Sequence, residues 1–115
     1  MNTVIISLGS NIEPEKNIQA ARDLLAKNFT VLRESQFIRT KPIGYLDQDD
    51  FINGAVLLET KLQQDALKTR LKELEKELGR QRSEIKFGPR TIDLDIVVWN
   101  EEIVDNDVYE RDFLK

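Results

Sequence analysis

Leu67, Leu71, Leu74 and Leu78 recur at alternating spacings of four and three residues, with lysine and glutamate filling the positions between them. That period puts the four leucines on one stripe of an α-helix, a stripe that must be covered by other apolar surface. Gly79 supplies the stop, so the spacing predicts a helix over 64–78. The runs on either side have a different character. Phe51 to Thr60 and Thr91 to Asn100 are rich in β-branched and aromatic residues and read as strands. The first half of the chain repeats the pattern. TVIISLG, residues 3–9, is an apolar strand that ends in the turn Gly9-Ser10-Asn11. Pro14 suits the first turn of a helix. Ile18, Ala21 and Leu25, widened by Leu24, give a helix over 14–27, and Phe29 to Arg39 alternates as a further strand. The order is β-α-β-β-α-β. Two such halves around one antiparallel sheet, with both helices on one face, is the ferredoxin-like α+β arrangement, and 115 residues suit a single domain over 1–115.

What the chain lacks narrows the chemistry. It has no cysteine, which excludes disulfides and thiolate metal sites and fits a reducing cytoplasm. It has no histidine, which removes imidazole as base, ligand or switch and excludes every Ser-His triad. Acid–base or metal chemistry must therefore use carboxylates, lysine or arginine. A formal charge of −4 argues against a nucleic-acid partner. No apolar run approaches the ~20 residues of a membrane span, and the N-terminus does not read as a secretory signal. The expectation is a cytoplasmic protein, monomer or homodimer.

Two aspartates interrupt the last strand, in TIDLDIVVW. Residues two apart share a face, which puts Thr91, Asp93, Asp95 and Val97 on one side and Ile92, Leu94, Ile96 and Val98 on the other. The carboxylates start about 6.5–7 Å apart at Cα, and such oxygens suit hard divalent cations. For an isolated D-x-D the plainer meaning is a pair of solvent-facing aspartates. Aspartate is unfavourable in strands, however, and like charges on one face repel. Arg80, Arg82, Lys86 and Arg90 in the preceding GRQRSEIKFGPR can compensate, although a charge run is usually just a solvated surface. Carboxylates that bind metal beside convergent arginines make a triphosphate site. Gly88-Pro89 sets a turn just before Arg90. Glu75, one turn before Gly79, reads from its spacing as an ordinary exposed helix glutamate.

In FIN, Phe51 and Asn53 share a strand face with Ile52 opposite. A flat ligand could stack on Phe51 and bond the Asn53 amide, which both donates and accepts. Taken alone, the pair reads rather as a core ring and a turn-facing amide. Thr40, Pro42 and Ile43 would wall such a pocket. Phe113 offers a second ring, although an aromatic near a terminus more often docks on a core. The acidic, Pro- and Gly-containing stretch 40–50 is a long exposed loop of the kind that carries function.

S-L-G-S-N at 7–11, G-Y-L-D-Q-D-D-F-I-N at 44–53, G-R-Q-R at 79–82 and G-P-R-T-I-D-L-D-I at 88–96 follow in this order. Together they closely resemble the 6-hydroxymethyl-7,8-dihydropterin pyrophosphokinase family of folate biosynthesis. The resemblance implies transfer of pyrophosphate from ATP to the hydroxymethyl group of the pterin, with release of AMP. It implies Asp93 and Asp95 as ligands of two Mg²⁺ ions. Arg80, Arg82 and Arg90 would surround the triphosphate, with Lys86 and Phe87 on a mobile catalytic loop. Glu75, Ile96 and, in the shortened echo ERDFL, Arg111 would fall at the nucleotide. Phe51 and Phe113 would sandwich the pterin, and Asn53 would read its edge beside Thr40, Pro42 and Ile43. The family usually has tryptophan where Phe87 stands, arginine for Lys86, and a Pro-His-containing segment where this chain reads VDNDVYERDFLK. Enclosing both substrates predicts closure of the 40–50 and 80–90 loops. The alternative is a paralogue that binds pterin or nucleotide with little or no turnover. An RNA-binding module of the same fold is disfavoured by the acidic balance and the aspartates on the last strand.

Overall fold

The computed structural model describes residues 1–41, 49–79 and 91–104. Their elements run β1 (Asn2–Ser10), α1 (Pro14–Asn28), β2 (Thr30–Glu34), β3 (Ile38–Thr40), β4 (Phe51–Thr60), α2 (Gln64–Glu77), β5 (Asp93–Trp99) and β6 (Glu102–Ile103). The strands form one six-stranded sheet in the order β2-β4-β1-β5-β6, with β3 also paired to β4. Every pairing is antiparallel. This is the expected α+β, ferredoxin-like βαββαβ arrangement. Among the described residues, no helix is long and apolar enough to cross a membrane.

One face of the sheet makes the core. Val4, Ile6 and Leu8 of β1 stand beside Leu58, Val56 and Gly54 of β4. Ile18, Ala21 and Leu25 from α1 and Leu67, Leu71 and Leu74 from α2 pack onto them, all at 5% exposure or less. Burying each large aliphatic contributes about 1.5–3 kcal/mol, so these layers hold β1 in place against both helices. Gly79, at φ 89°, ends α2 in the left-handed region that glycine favours.

The predicted strand over 29–39 is two strands. Ser35 interrupts it: its N–H donates to the Ala55 carbonyl at 2.8 Å, and its hydroxyl accepts the Ala55 N–H at 2.8 Å. The break turns the Phe37 ring onto Gly54, where a Cβ would overlap it. The Arg22 guanidinium lies 5.4 Å from the centre of the same ring. A second departure lies in β5. The register to β1 shifts between Ile5, opposite Val98, and Ile6, opposite Ile96, which leaves Val97 as a bulge. Leu94 and Ile96 face the helices as expected, but Val98 turns over to the face of the aspartates and Trp99 joins the core. The tail adds β6 through a tight turn at Asn100, whose φ is 55°.

Gly54→Ala should lower the unfolding free energy by about 1–3 kcal/mol, because the added methyl displaces the Phe37 ring. Urea denaturation reads this, and the loss should shrink in a Phe37→Leu background.

Candidate active site

The face of the sheet away from the helices carries the polar residues. Asp93 is paired with Gly9 and Asp95 with Ser7 across β5 and β1. Gly9 is paired in turn with Asn53 across β1 and β4, and Asn53 with Ile38 on β3. Directly opposed residues in an antiparallel sheet share a face, so Asp93, Gly9 and Asn53 form one row. Two strand spacings put the Cα atoms of Asp93 and Asn53 roughly 10 Å apart. Phe51 and Thr40 are paired one step along the same face. Asp93, Asp95, Phe51, Asn53 and Thr40 are all partly exposed.

Gly9 connects the two ends of the row. A Cβ at this position would stand 2.8 Å from Asn53 Oδ1, so the amide lies over the bare glycine backbone. The Nδ2 of Asn53 donates to Thr40 Oγ1 at 2.5 Å. Thr40 and the open space at Gly9 therefore fix the orientation of the amide, with its oxygen toward β1 and the aspartate row.

The turn after Gly9 is a junction. Ser10, fully buried, donates its hydroxyl to the Thr91 carbonyl at 2.5 Å. Asn11 Nδ2 donates to the Asp49 carbonyl at 3.1 Å. Thr91 and Asp49 are thereby tied to one turn. The motif S-L-G-S-N signalled this turn, but no sequence pattern assigned roles to Gly9, Ser10 or Asn11.

Glu75 is not the exposed helix glutamate that its spacing suggested. It is 4% exposed, and its Oε2 accepts the Leu94 N–H at 2.8 Å. Spacing failed because α2 packs on β5 along the flank that carries this position. Ile96 is partly buried on the helix face opposite Ile6. Glu75 and Ile96 thus lie on the helix side of β5, with Asp93 and Asp95 on the other. Arg80, Arg82, Lys86, Phe87, Arg90, Pro42, Ile43, Arg111 and Phe113 lie outside the described residues.

The donor set suits a hard cation. Two carboxylates two residues apart on one strand offer oxygens alone, and among the described residues no group of three acidic side chains gathers at one point. A cation held there would take its remaining ligands from water and from the phosphates of a substrate, as Mg²⁺ commonly does.

The sequence also has known relatives. Residues 5–115 match the family described as 7,8-dihydro-6-hydroxymethylpterin-pyrophosphokinase. A 2-amino-4-hydroxy-6-hydroxymethyldihydropteridine pyrophosphokinase of Bacillus subtilis (strain 168) is 39% identical over 98% of this chain and 74% of its own length. Its namesake in Haemophilus influenzae is 34% identical over 99% of this chain and 78% of its own. That of Pseudomonas aeruginosa is 38% identical over 89% and 64%. The chain belongs to the 7,8-dihydro-6-hydroxymethylpterin-pyrophosphokinase family.

Proposed function

We propose that the protein transfers the pyrophosphoryl group of ATP to the hydroxymethyl group of 6-hydroxymethyl-7,8-dihydropterin and releases AMP, a step of folate biosynthesis. The row Asp93–Gly9–Asn53 carries this proposal. It sets an amide suited to a heterocycle edge roughly 10 Å from a pair of cation-binding carboxylates. A bicyclic ring reading Asn53 can thus extend a short substituent toward phosphates held at the aspartates.

Each residue then has a task. Asn53, held by Thr40, bonds the pterin edge; Phe51 and Phe113 stack on its two faces; Pro42 and Ile43 complete the wall. Asp93 and Asp95 hold two Mg²⁺ ions, which when bound neutralise phosphate oxygens and polarise the β-phosphorus. Arg80, Arg82 and Arg90 balance the triphosphate, with Lys86 and Phe87 on the loop that encloses it. Arg111 lies at the nucleotide, and Ile96 and Glu75 flank it from the helix side of β5. The hydroxymethyl oxygen attacks the β-phosphorus and gives up its proton to solvent, the bond from that phosphorus to the oxygen bridging the α-phosphate breaks, and AMP departs. Alignment and stabilisation of charge on oxygen supply the acceleration, so the reaction proceeds in a chain without histidine. The setting is the cytoplasm, and the protein acts as a monomer or homodimer.

With ATP, Mg²⁺ and the pterin together, chromatography should show AMP, and omission of the pterin should abolish it. Formation of ADP, or no nucleotide change, would contradict the assignment. Asp93→Ala and Asp95→Ala should each lower kcat by at least ~10²-fold, in line with loss of a principal electrostatic stabiliser. Calorimetry should find pterin affinity unchanged within a factor of about 2, below the ~0.5 kcal/mol expected where no contact is lost.

Gly9→Ala should act at the other end of the row. The new methyl forces the Asn53 amide off its position, so pterin affinity should fall by about tenfold, the equivalent of one lost hydrogen bond. Gly9 is buried, so the melting temperature should fall as well, and the affinity is to be read well below the unfolding transition.

A further inference from the structure

β5 is supported unequally along its length. β1 pairs with it from Asp93 to Trp99, but on its other side β6 reaches only Val98 and Trp99. Val104 extends that support by one hydrogen bond to the Val97 carbonyl, at 2.9 Å. Among the described residues, no strand covers the outer edge of Asp93–Ile96, the stretch that bears both aspartates.

Glu75 meets that edge. The Leu94 N–H points away from β1 and is accepted by Glu75 Oε2 at 2.8 Å, within the buried region. Leu94 is the residue between Asp93 and Asp95. A carboxylate on a backbone N–H is among the stronger hydrogen bonds in proteins, and this one ties the α2 scaffold to the peptide between the two aspartates. α2 is itself fixed, since Leu67, Leu71 and Leu74 are buried to within 1%. Lys72 Nζ also lies 4.0 Å from its Oε1. What the Leu94 N–H requires of this position is an acceptor at one definite reach.

We propose that Glu75 is a positioning residue for the paired aspartates. Its buried carboxylate pins the Leu94 N–H and so sets the spacing and aim of Asp93 and Asp95 toward divalent cations. This rests on Asp93 and Asp95 being cation ligands, as proposed above. It differs from a direct contact between Glu75 and the nucleotide, because the group that Glu75 acts on is the Leu94 N–H.

Two conservative variants of the full chain separate these roles. Glu75→Gln keeps the reach and an accepting oxygen but loses the charge; Glu75→Asp keeps the charge but withdraws the acceptor by one methylene. Leu94 amide exchange, followed by NMR without metal, should stay slow in Glu75→Gln and speed up at least tenfold in Glu75→Asp. Calorimetric titration with Mn²⁺ and a non-hydrolysable ATP analogue should give an affinity within about threefold of the unsubstituted chain for Glu75→Gln, and at least tenfold weaker binding for Glu75→Asp. Pterin affinity should be the same in all three proteins. If Glu75→Gln loses cation binding while Glu75→Asp retains it, the charge itself is used and the proposal is overturned. Equal behaviour of the two variants would overturn it as well. Failure of the unsubstituted chain to bind Mn²⁺ with the analogue would instead remove the aspartates as ligands, and the proposal with them.

Discussion

The site depends on β1 lying between two strands in fixed register. β4 brings Asn53 to one side of Gly9, and β5 brings Asp93 to the other. A slip of one residue in either pairing would turn that strand's polar residues into the core. The apolar residues of the opposite face forbid the slip, since Val4, Ile6 and Leu8 are 1% exposed or less beneath two helices. Packing energy on one side of the sheet is thereby converted into a positional tolerance on the other.

Within that frame, local hydrogen bonds do the finer placing. Thr40 orients the Asn53 amide, Ser10 holds the carbonyl of Thr91 two residues before Asp93, and Glu75 holds the Leu94 N–H. Ser10, Glu75 and Leu94 are buried, where a hydrogen bond left unmade costs more than a made one contributes. The side chains proposed for substrate and cation, on the other face, are partly exposed. Gly9 is buried between them, and its lack of a side chain lets the Asn53 amide lie over β1 without displacing the strands.

Much of this was legible in the residues. The leucine stripe of α2, the strand Phe51–Thr60 and the sharing of one face by Asp93 and Asp95 follow from the periods of helix and strand, which depend on the segment alone. The break at Ser35 and the bulge at Val97 were not legible, because each is set by a partner strand. Alternation along VVW gives no sign that Val98 will cross the sheet. Glu75 was hidden for a related reason. Its helix stripe is unmistakably leucine, and only the packing of α2 beside β5 turns an adjoining glutamate inward. Gly9 drew no role because a missing side chain matters only once its neighbours are known.

The central claim is that the two strand-borne carboxylates hold divalent cations in the row that Asn53 begins. Anomalous diffraction from crystals grown with Mn²⁺, a non-hydrolysable ATP analogue and the pterin tests it most directly. The account predicts two peaks about 3.5–4 Å apart, each within about 2.0–2.6 Å of an Asp93 or Asp95 oxygen, with the pterin edge on Asn53. Peaks elsewhere, or both aspartates engaged with arginine side chains and no metal between them and the phosphates, would contradict it.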